Sequence, residues 1–491
     1  MHTTPTEHLT LIIFIAIYLL ATLLIGWWAA QKVKTTQDFV IAGRRLPMFI
    51  AACALFATWF GSETVMGASS EFIADEEGAP IGLLRVIEDP FGAALCLVLV
   101  GAFFAKPLYK LNILTFSDFF KLRYSRTTEL FSALFMVPSF FGWVAAQLVA
   151  MAIILQVLGG IDLHIGIAVC TIIVVIYTYI GGMWAVSVTD FVQTIMIIAG
   201  LLLLAFQLGN QAGGVSEVLS QQPEGFFNMI PEFKPIPFLE YIAAWITIGL
   251  GSIPGQDVFQ RVMSAKSART SVISSYVAGA MYLSIGLIPL FIALCGKALY
   301  PDLRELGGVE NEQLMLPVMV LKHGTLLIQI MFFGALLSAI LSTASGAILA
   351  PATIIGENLV RPYLRNTTDK RLLQVMRFSV VAVAGCSALM ASVNTNIYEL
   401  VGQSSSLSLV SLFIPLTMGI YWKKASNAGA LSAIIAGMSA WLLCEWQGTE
   451  VPSIIIGGLV SLVAMIAGSY IRPDQSYQAF KLEAGQSGND E

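Results

Sequence analysis

The stretch ALLSAILSTASGAILA at residues 335–350 decides the fold class, because it lies within an apolar segment long enough to cross a bilayer. On a helix, Ala339, Ser342 and Thr343 share one face at positions i, i+3 and i+4, and Ser338 and Ser345 extend that polar stripe. Hydroxyl oxygens in hydrocarbon need a partner. Two interpretations stay open from this stretch alone: a small-residue surface for close helix packing, or an oxygen-rich site for an alkali cation.

Composition predicts that the whole chain is an all-α polytopic membrane protein. Of 491 residues, 57% are hydrophobic and only 12% are charged, and the mean hydropathy is +0.79. The six cysteines fall in apolar segments and the four histidines have no ligand spacing, so neither disulfides nor a transition metal is expected. Nucleotide-binding and nucleophile motifs are absent from the sequence, which argues against an enzyme and against a nucleic-acid partner.

Apolar runs of spanning length predict thirteen transmembrane helices. Their approximate ranges are 8–30, 47–75, 81–105, 130–158, 163–182, 188–208, 240–262, 274–296, 325–359, 373–392, 395–421, 428–446 and 451–470. With the N-terminus outside and the C-terminus in the cytoplasm, the inner loops collect most of the 26 lysine and arginine residues, including Arg261. The first run lacks a basic leader, so a retained helix is expected, and residues 473–491 form a short cytoplasmic tail.

Two of these helices contain residues that break helices near the middle of the membrane. Helix 2 contains Gly61, Ser62 and Glu63, and helix 7 contains the run GLGSIPG at residues 249–255. Five helices separate the two points, so residues 47–208 and 240–421 are predicted to be inverted five-helix repeats. Paired interruptions at matching positions indicate a transporter site, whereas ordinary kinks are the alternative.

Four separated motifs resemble the sodium:solute symporter family, which includes sodium/glucose, sodium/proline and sodium/sialic acid carriers. They are GGMWAV with Thr189, Asp190 and Gln193; Gln260-Arg261 with SAKS at 264–267; Ser338–Ser345; and GIYWKK at 419–424 with Asn427. The resemblance covers residues 10–470. It implies a leucine-transporter-type 5+5 inverted repeat in one transporter domain spanning 1–491, with an extra helix at 8–30 before the repeats and two helices at 428–470 after them.

The resemblance also implies where sodium, the coupling ion, binds. The family's conserved site falls on the carbonyls of Ala57, Phe60 and Ala339 and the hydroxyls of Ser342 and Thr343, on the face that spacing also brings together. Some members bind a second sodium nearer the cytoplasm. In this chain that site would consist of Asp190, Ser342, Thr343 and Ser345, with Gly346 where the sialic acid carriers offer another hydroxyl. From the residues alone, Asp190 could instead cap a helix.

Five residues are candidates for solute binding. Glu63 could bind an ammonium group, carry a proton or pair with a distant cation. Glu88 and Asp89 are expected to pair with Arg85 on one helix face; otherwise Glu88 matches a sugar-contacting glutamate of sodium/galactose carriers. Gln403 has the spacing of a sugar-binding glutamine in sodium/glucose carriers, or is a packing amide. Trp143 and Gln147 lie one turn apart and either pack the core or contact solute.

The sequence therefore predicts a sodium-coupled symporter in the plasma membrane, or in the inner membrane of a bacterium. Its expected partners are sodium, a small organic solute and the lipid bilayer, with no bound cofactor. Proton coupling through Glu63 or Asp190 is one alternative. A solute sensor or channel on the same scaffold is another, although the short tail offers no signalling domain.

Overall fold

Helices account for most of the described chain, because a backbone in hydrocarbon must satisfy its hydrogen bonds within its own segment. The computed structural model describes residues 5–31, 33–74, 80–301, 312–364, 368–474, 476–477 and 480. The first helices are α1 (Pro5–Ala30), α2 (Thr36–Ile41), α3 (Met48–Phe56), α4 (Ser69–Ile73), α5 (Ala93–Leu99), α6 (Ala105–Tyr109), α7 (Phe116–Arg123), α8 (Arg126–Gly159), α9 (Leu163–Gln211), α10 (Val215–Ser220) and α11 (Pro235–Gly251). The others are α12 (Gln256–Ser264), α13 (Ala268–Ile285), α14 (Leu287–Leu299), α15 (Met315–His323), α16 (Leu326–Ile354), α17 (Asp369–Val393), α18 (Ile397–Ser408), α19 (Ile414–Tyr421), α20 (Asn427–Gln447) and α21 (Ser453–Ile471).

Over the part of the chain that the structure describes, nine helical segments are long and apolar enough to cross a membrane. The bent pair α11 and α12 would make a tenth. The all-helical membrane fold is thus confirmed, whereas the total of thirteen spans stays a prediction. Most of the predicted tail, including residues 481–491, lies outside the described residues.

Helix α9 contains two predicted spans, 163–182 and 188–208, without an interruption in its helical assignment. The Tyr177 hydroxyl nevertheless lies 3.1 Å from the Thr189 hydroxyl. Residues twelve apart on a straight helix are separated by about 18 Å, which two side chains of this size cannot bridge. The segment is therefore bent between these residues, and Leu163–Tyr179 and Met183–Gln211 are two separate apolar helices.

Both predicted helix breaks are present. Residues 57–61 form turns between α3 and a wide helical segment, Glu63–Ala68, that continues into α4. The second break, at residues 252–255, bends α11 against α12 by 47°. Its glycines allow close packing, since a Cβ at Gly251 would lie 2.4 Å from the carbonyl oxygen of Ser405.

Helix α3, which leads into the first break, and α12, which follows the second, are joined through the backbone at their ends. The Leu46 amide, just before α3, donates to the carbonyl of Ser264 at 2.9 Å, and the Lys266 amide donates to the carbonyl of Leu46 at 2.9 Å. Arg261, which the charge distribution assigns to an inner loop, lies instead on α12 and is 1% exposed. That expectation was wrong because this positive charge faces the protein interior rather than the cytoplasm.

Candidate solute and cation site

The two helix breaks face one cavity inside the helix bundle. Trp59 and Glu63 line it from the first break, and Gly251, Ser252 and Gly255 line it from the second. The helices around the breaks complete the wall with Asp89, Ala93, Ser139, Phe140, Trp143, Ile248, Asp257, Tyr282, Val401, Ser404, Ser405 and Ser408. The two interruptions that the sequence predicts are therefore brought to the same place.

Glu63 is held on one wall of the cavity by two side chains from α8. The Trp143 indole N–H donates to Glu63 Oε1, and the Gln147 amide nitrogen donates to Oε2 at 3.3 Å. Glu63 is 1% exposed, and neither α8 partner carries a charge. The i, i+4 spacing of Trp143 and Gln147 thus positions a buried carboxyl group, which is balanced either by a cation or by a bound proton.

A second carboxylate of the cavity, Asp89, is bonded to hydroxyl groups rather than to a cation. The Thr64 hydroxyl donates to Asp89 Oδ2 at 2.8 Å and lies 2.5 Å from the hydroxyl of Tyr282. Arg85, in the helical turn Gly82–Val86, pairs with Glu71 of α4 at 2.7 Å. The expected pairing of Arg85 with Glu88 and Asp89 on one helix face was therefore wrong, because Asp89 points into the bundle.

Aromatic rings make up much of the remaining cavity wall. The rings of Trp59 and Tyr282 meet edge to face at 6.5 Å between centroids, and those of Phe140 and Trp143 lie 5.9 Å apart. Such rings bury large apolar areas and present an electron-rich face to cations. The cavity thus combines π surfaces with three carboxylates, Glu63, Asp89 and Asp257.

The serine stripe of α16 bonds to two other elements, the first helix break and α9. The Thr343 hydroxyl donates to the carbonyl of Ala57, in the first helix break, at 3.0 Å. Ser342 donates to Asp190 Oδ1 at 2.6 Å, and the Gln193 amide donates to Ser338 at 2.6 Å. The stripe is therefore both a surface for helix packing and a group of buried oxygen atoms. Each of the two interpretations left open by the sequence describes part of it.

Only some of the five candidate solute residues line the cavity. Glu63 and Trp143 line the cavity, and Gln147 stands behind Glu63. Glu88 and Gln403 do not line it: a Cβ at Gly402 would lie 3.2 Å from Glu88 Oε2, and the exposed Gln403 donates to Glu399 at 2.9 Å. The family resemblance suggested these two positions, and neither is among the residues that line the cavity.

Tyr282 and Asp257 line the cavity and were missed as solute candidates. Both come from elements distant in sequence, and nothing in the local pattern of α13 distinguishes Tyr282 from a core tyrosine. Asp257 had a usable signal, because it follows the break at 252–255 by two residues, as Glu63 follows Gly61 by two. Comparing the two breaks position by position would have found it.

Comparison with known proteins assigns the chain to a family. The profile of the sodium:solute symporter family matches residues 39–437. The chain belongs to the sodium:solute symporter family. This membership confirms the resemblance found in the sequence, and it identifies the protein as a membrane transporter rather than an enzyme.

Relatives in this family transport different solutes. The high affinity choline transporter 1 of Homo sapiens is 26% identical over 451 residues, which cover 88% of this chain and 76% of that protein. The osmoregulated proline transporter OpuE of Bacillus subtilis (strain 168) is 27% identical over 486 residues, covering 96% and 97%. A Na+-coupled sialic acid symporter solved in a substrate-bound outward-open state has a TM-score of 0.78 at 21% identity, covering 95% and 99%. This chain therefore shares the leucine-transporter-type fold of that sialic acid symporter.

Proposed function

We propose that this symporter uses sodium to import a small cationic organic solute by alternating access. The observation that carries the proposal is the cavity at the two helix breaks, where three buried carboxylates face aromatic rings. Binding a solute there would bring the two broken helices together. Sodium moving inward would supply about 2.3 kcal/mol per charge for each 100 mV of membrane potential.

The charge of the cavity favours a cation over an anion or a sugar. Among the described residues that line the cavity there is no lysine or arginine, and Glu63 and Asp89 have no basic partner, whereas Asp257 interacts with Arg261 of its own helix. A bound cation would balance the charge of the first two. Aromatic faces attract quaternary ammonium groups in particular, at about 0.5–2 kcal/mol per ring. One relative is named as a choline transporter, which agrees with a quaternary ammonium solute.

For the coupling sodium we propose the carbonyls of Ala57, Phe60 and Ala339 with the hydroxyls of Ser342 and Thr343. Hard cations prefer such oxygen ligands. The contact of Thr343 with Ala57 supports the assignment, because it holds two of these oxygens 3.0 Å apart across the helix break. An ion bound between them would fix α16 against the first break, next to the solute cavity, so sodium and solute would raise each other's affinity.

We further propose the topology that follows from the charge distribution. Thirteen spans would place the N-terminus outside and the C-terminus in the cytoplasm of a plasma membrane or bacterial inner membrane. The repeats would occupy 47–208 and 240–421, with the extra helices at 8–30 and 428–470. Cysteine labelling from either side of sealed vesicles tests this arrangement.

Uptake into proteoliposomes tests the function. We expect an inward sodium gradient to drive accumulation of labelled choline above its outside concentration, with proline and glucose as comparison solutes. A channel would equilibrate choline without accumulating it. Accumulation driven by a pH gradient in sodium-free buffer would favour proton coupling instead, and absence of choline uptake beside uptake of proline or glucose would refute the cationic solute class.

A matched pair of substitutions tests whether this cavity binds the solute. Trp143→Phe removes the indole N–H that positions Glu63 and weakens one aromatic face, so we expect the KM for choline to rise roughly 5- to 30-fold. Trp446→Phe makes the same chemical change at a side chain that is 83% exposed, and its KM is expected to stay unchanged. Equal KM values in the two variants would contradict the assignment of the cavity.

A further inference from the structure

Five serine residues form a second polar group in the wall of the solute cavity, in addition to its carboxylates. They are Ser139 of α8, Ser252 in the second helix break, and Ser404, Ser405 and Ser408 of α18. The hydroxyls of Ser252 and Ser405 lie 3.1 Å apart and connect the second break to α18. Each hydroxyl can donate and accept a hydrogen bond without carrying a charge. Binding of a cation by the carboxylates and aromatic rings leaves these hydroxyl groups without a role.

Helix α18 presents three of these serines to the cavity from one face. Ser404, Ser405 and Ser408 share that face at positions i, i+1 and i+4. Two glycines bring the helix close to its neighbours: a Cβ at Gly142 of α8 would lie 2.7 Å from Ser404 Oγ, and a Cβ at Gly251 of α11 would lie 2.4 Å from the carbonyl oxygen of Ser405. The serines are therefore held in place by close packing of α18 against α8 and α11.

The hydroxyl of Ser408 has no hydrogen-bond partner among the residues that the structure describes, although Ser408 is only 5% exposed. A buried serine in a helix can donate to the carbonyl of the preceding turn, as Ser404 donates to Leu400 at 3.0 Å and Ser411 donates to Leu407 at 2.7 Å. Leaving a buried hydroxyl unpaired costs stability. A group bound in the cavity would supply the missing partner.

The partner that fits the Ser408 hydroxyl is a neutral oxygen atom. A carboxylate on the solute would need a basic side chain, and the described residues lining the cavity include no lysine or arginine. The carboxylates of Glu63 and Asp89 would also repel it. A hydroxyl, ether or carbonyl oxygen, in contrast, accepts a hydrogen bond from serine without adding a charge.

We propose that the solute is an ammonium compound with a neutral oxygen function, in its simplest form an amino alcohol, and that Ser408 determines this specificity by donating a hydrogen bond to that oxygen. The inference rests on the proposed cationic solute. It separates compounds that the charge of the cavity alone does not separate, because an alkylammonium ion lacks the oxygen and a betaine adds a carboxylate.

Competition against labelled choline in the purified full-length protein tests this specificity. Propyltrimethylammonium is close to choline in size but carries a methyl group in place of the hydroxyl, so we expect its Ki to be about 5- to 30-fold higher than that of choline. Glycine betaine should compete at least about 100-fold more weakly than choline, because its carboxylate would be buried without a counter-charge. A Ki equal to that of choline for either compound would overturn the inference and leave the proposed cationic solute intact. Absence of choline binding would overturn both.

Two variants test whether Ser408 provides the discrimination. Ser408→Ala removes the hydroxyl, so the ratio of the Ki values for propyltrimethylammonium and choline is expected to fall to about 1. Ser411→Ala makes the same change at a buried serine of the next turn that does not line the cavity, and its ratio is expected to equal that of the unmodified protein. A packing defect would raise both Ki values together, so an unchanged ratio in Ser408→Ala would overturn the inference. If that variant does not fold, Ser408→Cys replaces it with the same expected fall, since a thiol is only a weak donor.

Discussion

Replacing Thr343 by valine probes the sodium site at the atom where ion binding and helix packing meet. The substitution keeps the shape of the side chain but removes the hydroxyl that donates to the Ala57 carbonyl at 3.0 Å. Losing that hydrogen bond is expected to lower stability by about 1 kcal/mol. Losing one oxygen ligand of a buried cation is expected to cost about 1.5–3 kcal/mol, as for a hydrogen bond to a charged group. The latter corresponds to a roughly 10- to 150-fold higher sodium concentration for half-maximal uptake.

The assay is the sodium dependence of choline uptake in proteoliposomes, with protein content matched between variants. Thr178→Val is the control, since Thr178 is equally buried but its hydroxyl donates within its own helix, to the carbonyl of Val174 at 2.8 Å. We expect Thr178→Val to leave the half-maximal sodium concentration unchanged. An unchanged value in Thr343→Val, or an equal shift in both variants, would refute the assignment of this hydroxyl to the ion.

Three further substitutions test the cavity and the packing around it. Glu63→Gln removes a buried charge at constant size. The KM for a cationic solute should therefore rise at least about tenfold in uptake assays, whereas the KM for a neutral solute should stay unchanged. Tyr282→Phe removes a hydroxyl 2.5 Å from Thr64, and should cost about 1–3 kcal/mol, visible as a lower midpoint of thermal unfolding. Gly251→Ala places a methyl group 2.4 Å from the carbonyl oxygen of Ser405, so it should destabilise the bundle by about 1–3 kcal/mol in the same measurement; an unchanged midpoint would show that the helices separate freely.

The sequence predicts features that depend on neighbouring residues better than features that depend on distant ones. The breaks at 57–61 and 252–255 follow from local glycine, serine and proline content, and the spacing of Ser342 and Thr343 follows from helix geometry. Trp143 and Gln147 share one helix face. Their common partner, Glu63, lies 80 residues before Trp143 in the sequence. The local pattern therefore gives the face of each helix but not what that face contacts.

Buried charges are where sequence reasoning failed. Lysine and arginine counting treats every basic residue as a loop residue, so it assigned Arg261 to the cytoplasmic side. The sequence reveals only the i, i+3 and i+4 neighbours of Arg85, so a carboxylate partner is expected on its own helix. The structure instead pairs Arg85 with Glu71. Pairing within a membrane bundle is decided by three-dimensional packing, which a single sequence does not contain.

Under the proposed topology, the backbone link at Leu46 would couple the two release routes of the symporter. Leu46 exchanges hydrogen bonds with the backbone at Ser264 and Lys266, so α3 and α12 would move together when the site opens to the cytoplasm. The first helix leads to the proposed sodium ligand Ala57, and the second carries the cavity residue Asp257. Ion and solute would then leave through one shared movement, and leakage of sodium without solute would require breaking this link. Because the link consists of main-chain atoms, most side-chain changes at these positions preserve it, and a proline at 266 would remove one of its two donors.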